Sequence, residues 1–135
     1  MKKYEILEHK ADLKIRAFGK DLKELFLNML FGLTESLRPE VRLGGEIIHK
    51  IKISSPDLPA LLVDFLSEVL YLIQVNREIY NKVKFIKFTD KEIEADLFGQ
   101  KVERFGEDIK AVTYHGLDIH QRKDGTWQAT VLFDV

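Results

Sequence analysis

The sequence predicts an α+β fold: one domain over residues 1–135, with two helices packed on a mixed, largely antiparallel β-sheet. Three observations carry that expectation. Segments that alternate apolar and polar residues come in pairs, and two stretches of helical periodicity interrupt them. The turn Lys123-Asp124-Gly125 joins the last two strands as a tight hairpin. A chain of 135 residues buries roughly two-thirds of the surface its unfolded form exposes, which suffices for one core.

Residues 4–9 and 13–18 alternate as two strands, with Lys10-Ala11-Asp12 as a short connection and Gly19 as the stop. Asp21 opens a helix, with Glu24 at capping-box spacing. Leu22, Leu25, Phe26, Met29, Leu30 and Leu33 then fall on one buried face. Gly44-Gly45 punctuates the chain before a strand over 46–54. A loop leads to Pro59, which sits in the first turn of a helix where its missing N–H is harmless. That helix, 58 to about 77, is apolar nearly all round and is expected at the centre; Asp64, Ser67, Glu68 and Tyr71 form its one polar stripe. Strands are predicted over 83–88, 92–98, 110–120 and 126–133, with turns at Gly99-Gln100-Lys101 and Phe105-Gly106.

Apolar residues make up 45% of the chain and charged residues 32%, with a net charge of −1. That balance argues against strong direct nucleic-acid binding, which calls for a basic excess, and leaves room for a local basic patch. Without cysteine there is no disulfide, zinc–thiolate site or Cys nucleophile. Met1-Lys2-Lys3-Tyr4 leads straight into an alternating strand, and the most apolar window carries Asp64 and Glu68. A cytoplasmic protein with no membrane association is therefore expected.

Three constellations offer chemistry. Glu8-His9-Lys10-Ala11-Asp12 puts a carboxylate at a strand corner, where a bond to the turn backbone is the ordinary alternative. Asp134-Val135 ends the last strand with no polar tail, and its oxygens suit a hard cation such as Ca2+, Mg2+ or Mn2+. A pairing with a nearby Lys is the alternative there. If the first and last strands are neighbours, Asp12 joins this group, and three negative groups need a cation or raised pKa values. Lys110-Ala111-Val112-Thr113-Tyr114-His115 places Lys110 on one strand face with Val112 and Tyr114, and Thr113 with His115 on the other, unless the strand is simply a sheet segment with one solvated side. Asp64 and Glu68, one helical turn apart, are a secondary candidate for metal or acid–base work. No phosphate loop, zinc motif or nucleophile elbow occurs.

Together, Glu8-His-Lys-Ala-Asp12 followed by Ile15-Arg-Ala-Phe-Gly19, the helix Leu61-Leu-Val-Asp-Phe-Leu-Ser-Glu68, Lys110-Ala-Val-Thr-Tyr-His115 and the closing Phe133-Asp-Val135 resemble the archease family, end to end and in the family's order. The resemblance implies an accessory protein, itself not an enzyme. Its partner would be the RNA ligase that joins tRNA halves bearing 2′,3′-cyclic phosphate or 3′-phosphate ends. It would promote ligase guanylylation and multiple turnover. The resemblance also implies a divalent cation, Ca2+ before Mg2+ or Mn2+, held by Asp12, Asp134 and a Val135 main-chain or terminal oxygen, and a functional role for Lys110. Lys10 stands where the family usually carries Thr, and a cation there would weaken or modulate metal binding. Two other readings are a chaperone or modulator of a tRNA-modifying enzyme such as a methyltransferase, and a stand-alone metal-dependent phosphoesterase.

Overall fold

The structure, a computed structural model, describes residues 2–8 and 12–135. The chain forms two compact units, Met1–Ser36 with Asp108–Val135, and Leu37–Glu107. Each unit pairs one helix with one antiparallel sheet, so the expected α+β class holds.

In the first unit, β1 (Tyr4–Glu8), β2 (Asp12–Gly19), β8 (Trp127–Asp134) and β7 (Ala111–Gln121) lie in the spatial order β1-β2-β8-β7. The first and last strands of the sequence thus flank or fill the middle of one sheet. Helix α1 (Leu22–Ser36) begins as its sequence signals demand: the Asp21 carboxylate accepts from the Glu24 N–H at 2.9 Å, and Glu24 accepts from the Lys20 N–H at 3.0 Å. The helix buries Leu25, Phe26, Met29, Leu30 and Leu33. Ile15 and Ala17 of β2 and Ala129, Val131 and Phe133 of β8 are buried as well, the set that alternation assigns to the sheet face under α1. The intervening residues face the other way.

In the second unit, β3 (Pro39–Val41) and β4 (Ile47–Ser54) pair with one side of β6 (Glu92–Phe105), and β5 (Glu78–Phe88) pairs with the other. Helix α2 (Leu58–Asn76) starts at Asp57, whose carboxylate accepts from the Ala60 N–H at 2.9 Å. It buries Leu61, Leu62, Val63, Phe65, Leu66, Val69, Leu70 and Ile73, whereas Tyr71 and Val75 are exposed.

Three boundaries depart from the sequence expectation. Arg77 takes a left-handed cap conformation at φ 54°, so the chain enters β5 at Glu78 rather than near 83. β6 runs straight through Gly99 instead of turning there. Gly99 is needed because the Ile79 backbone crosses so closely that a Cβ would lie 1.8 Å from its carbonyl oxygen. β3 has three residues, too few for a periodic signal.

Candidate metal centre

The sheet of the first unit brings together residues from the two ends of the chain. In the β2–β8 ladder, Asp12 lies directly across from Asp134. Directly opposed residues share a sheet face with Cβ atoms about 4.5–5.5 Å apart, so the two carboxylates are neighbours on the face turned away from α1. Asp134 is also across from Ala111 on its other side, and its carbonyl accepts from the Lys110 N–H at 2.7 Å. Asp12, Asp134 and Lys110 therefore meet at one end of three adjacent strands, with Val135 following at once. Asp134, Val135 and Lys110 are exposed, and Asp12 is half-buried.

Two carboxylates in register repel. Among the described residues, neither Asp12 nor Asp134 has a cationic side chain within ion-pairing distance. Nor does any group of three or more His, Cys, Asp or Glu side chains gather to hold a metal among those residues. The donor set is two carboxylates plus main-chain oxygens. Its oxygen-only chemistry fits a hard cation, and it supplies fewer than the six to eight ligands that Ca2+ takes, so some positions would fall to water or a partner. His9, Lys10 and Ala11 of the same constellation lie outside the described residues.

The Lys110–His115 motif is not the regular strand its alternation predicts. The register passes from Thr113 opposite Leu132 to Asp118 opposite Thr130, so β7 spends five steps where β8 spends two. Tyr114, His115, Gly116 and Leu117 bulge out, with Gly116 at φ +66°. The Thr113 hydroxyl pins the start of the bulge: it donates to the Leu132 carbonyl at 3.1 Å and accepts from the His115 N–H at 3.3 Å. Ala111, Val112 and Thr113 keep regular places opposite Asp134, Phe133 and Leu132, and Tyr114 and His115 have no partner position in the ladder. A glycine inside a strand pattern was the one available signal.

Asp64 and Glu68 belong to the second unit. There Asp64 accepts from the Ser55 hydroxyl at 2.6 Å, and with the exposed Glu68 it lines an open groove of about 400 Å3 beside Lys52 and Ser67. The residue spacing missed a richer cluster in that unit. Glu78, only 3% exposed, accepts from the Tyr80 hydroxyl at 2.8 Å and lies 2.8 Å from His49 Nε2 and 3.1 Å from Lys101 Nζ. Burial pushes its pKa up, but the bonds from Tyr80 and Lys101 and the His49 charge outweigh that, and the carboxyl sits below its ordinary value. Burial and the bond to Glu78 push the Tyr80 hydroxyl the opposite way, well above 10.

Comparison with known proteins agrees with this architecture. Residues 4–135 match the model of the archease protein family. The archease of Methanosarcina acetivorans is 37% identical over 142 aligned residues that cover 99% of this chain and 97% of that one. The archease of Pyrococcus abyssi is 28% identical, with both chains covered in full. The solution structure of protein 1598 of Methanobacterium thermoautotrophicum superposes with a TM-score of 0.74 at 27% identity over the whole of both chains. A Thermotoga maritima crystal structure, described as an archease and possible chaperone, gives 0.71 over 96% of this chain and 94% of its own; at 21% identity it speaks to the fold alone. With the family model matched from Tyr4 to the last residue, and the fold shared along the same length, this chain belongs to the archease family.

Proposed function

We propose that this protein is an accessory factor, not itself an enzyme, for the RNA ligase that joins 2′,3′-cyclic phosphate or 3′-phosphate RNA ends in tRNA splicing. It promotes guanylylation and repeated turnover of the ligase in the cytoplasm. The observation that carries the reading is the register of Asp12 against Asp134, which sets two carboxylates side by side on an exposed sheet end, without an ion pair among the described residues. A divalent cation, Ca2+ first, with Mg2+ or Mn2+ as substitutes, would offset their repulsion and present a positive centre to phosphate oxygens. Asp12 and Asp134 bind it, Val135 adds a main-chain or carboxylate oxygen, and the Lys110 N–H fixes the Asp134 carbonyl so that the side chain above it is held in place. The Lys110 ammonium is exposed at the same end, where it meets a phosphate or an acidic partner surface. With so few protein ligands, this cation is accessible to the partner rather than enclosed.

The deciding experiment is ligase turnover with purified protein carrying Asp12→Ala, Lys110→Ala or a deletion of Asp134-Val135. Each is expected to leave a single round of ligation or less. Wild-type multiple turnover from all three sinks the proposal. The second reading is a chaperone or modulator of a tRNA-modifying enzyme such as a methyltransferase. It calls for a response of a tRNA methyltransferase to the protein, unaffected by these substitutions.

A further inference from the structure

The sheet face that carries Asp12 and Asp134 continues into a row of quite different chemistry. Along β2, Lys14, Arg16 and Phe18 follow Asp12 at two-residue spacing, so all four project from the side opposite Ile15 and Ala17, which α1 covers. At about 3.4 Å per residue the row extends roughly 20 Å. At its far end the Arg122 guanidinium lies 5.6 Å from the centre of the Phe18 ring. Phe18, Arg122, Lys2 and Glu5 line a cavity of about 230 Å3 there. Arg16, midway, has its Nε 3.4 Å from the Thr130 hydroxyl. Beside Arg16, Glu5 lies 2.8 Å from Lys2 and 3.9 Å from Arg16, and Asp118 lies 2.7 Å from His120.

We propose that this face of β2 and β8 is a docking lane for the end of a single-stranded nucleic acid, with phosphates on Lys14 and Arg16 and a base stacked at the Phe18–Arg122 shelf. Cations in a row with an aromatic ring are how sequence-tolerant single-strand sites combine charge with stacking. An acidic peptide would satisfy the cations equally well but would gain nothing from the ring, so the shelf favours a nucleobase. The bare carboxylates of Asp12 and Asp134 would repel phosphate at the other end, and a cation there would extend the lane. That end rests on the proposed metal site, whereas the Arg16–Phe18–Arg122 end does not. With a net charge of −1 the chain is no general phosphate binder, so the contact is local, modest and salt-sensitive.

Fluorescence anisotropy of a labelled oligoribonucleotide of about six residues, titrated with the full chain in excess Ca2+ and in EDTA, tests this. Saturable binding is expected, tighter in Ca2+ and falling at least about tenfold as salt is raised from low to physiological concentration. Arg16→Gln and Arg122→Gln should each weaken it about five- to tenfold, and Phe18→Leu, which keeps an apolar side chain, about tenfold. Lys123→Gln, in the hairpin turn, should leave it unchanged. The inference is overturned if no saturable binding occurs in either condition, if the three lane variants bind as the wild type does, or if an oligo-glutamate peptide binds as tightly. Calorimetry with Ca2+ alone separates the two proposals. Calcium binding without RNA binding removes the lane and spares the metal site; equal RNA binding in EDTA with no heat from Ca2+ does the reverse.

Discussion

The two units each hold a notable carboxylate site, and they solve opposite problems. In the second unit Glu78 is buried, and its own chain surrounds it with a tyrosine hydroxyl, an imidazole and an ammonium. In the first, Asp12 and Asp134 stand side by side at a sheet end without an ion pair among the described residues. A satisfied buried ion is a structural device: removing one partner strands the others. A pair of neighbouring surface carboxylates costs little stability and attracts a cation. Burial alone therefore does not rank sites by function. What separates these two, among the described residues, is whether the protein completes the electrostatics itself.

The comparison is broken most directly at Glu78. Glu78→Ala should cost about 3 kcal/mol of unfolding free energy, since the buried Tyr80 hydroxyl loses its acceptor, while the half-exposed Lys101 can turn to water. Urea denaturation measures it, and a loss under 1 kcal/mol would mean the network is decorative. Gly99→Ala should cost about 3 kcal/mol, because a Cβ there meets backbone rather than a side chain that can move aside. A thermal melt reports this as a large drop in Tm.

Acid sharpens the contrast. The folded-state pKa of Glu78 is depressed below 4.5, so its stabilisation is complete above that value and is lost as pH falls through the folded pKa. The stability gap between wild type and Glu78→Gln should accordingly close below about pH 4.5. A gap that persists unchanged at lower pH contradicts this account. Tyr80 works at the other extreme: its pKa is raised, so its contribution is complete below pH 10 and is lost at higher pH.

Substitutions in the first unit should be small in stability and large in cation binding. Thr113→Val removes the hydroxyl that spans the bulge and should cost about 1 kcal/mol. Thr113→Ser should restore most of it. Asp12→Asn should change stability by no more than about 0.5 kcal/mol, and in the stabilising direction if repulsion with Asp134 dominates. Its calcium affinity, read by calorimetry, should fall at least about tenfold, in keeping with the loss of one charged ligand. A variant that loses stability but keeps calcium would invert the roles assigned to the two units.

Much of the fold was legible because its signals are local. The capping residue Asp21, Pro59 in the first turn of α2, the apolar stripes of α1 and α2 and the Lys123-Asp124-Gly125 turn act within a few residues of themselves. The misses have local causes too. Gly99 reads as a turn residue by its own preference, and only the crossing Ile79 backbone makes it a strand residue. Glu78 follows a helix directly, so no periodicity announces it; its partners His49 and Lys101 come from β4 and β6.

By itself the sequence determined the α+β class, both helices with their starts, and the carboxylates that stand near each end of the chain. The division into two antiparallel sheets, the bulge after Thr113 and the placing of Asp12 across from Asp134 were decided by tertiary structure. Strand pairing between residues more than a hundred positions apart depends on which edges are left open after the helices pack. Alternation fixes the face a side chain takes but says nothing about which strand lies beside it.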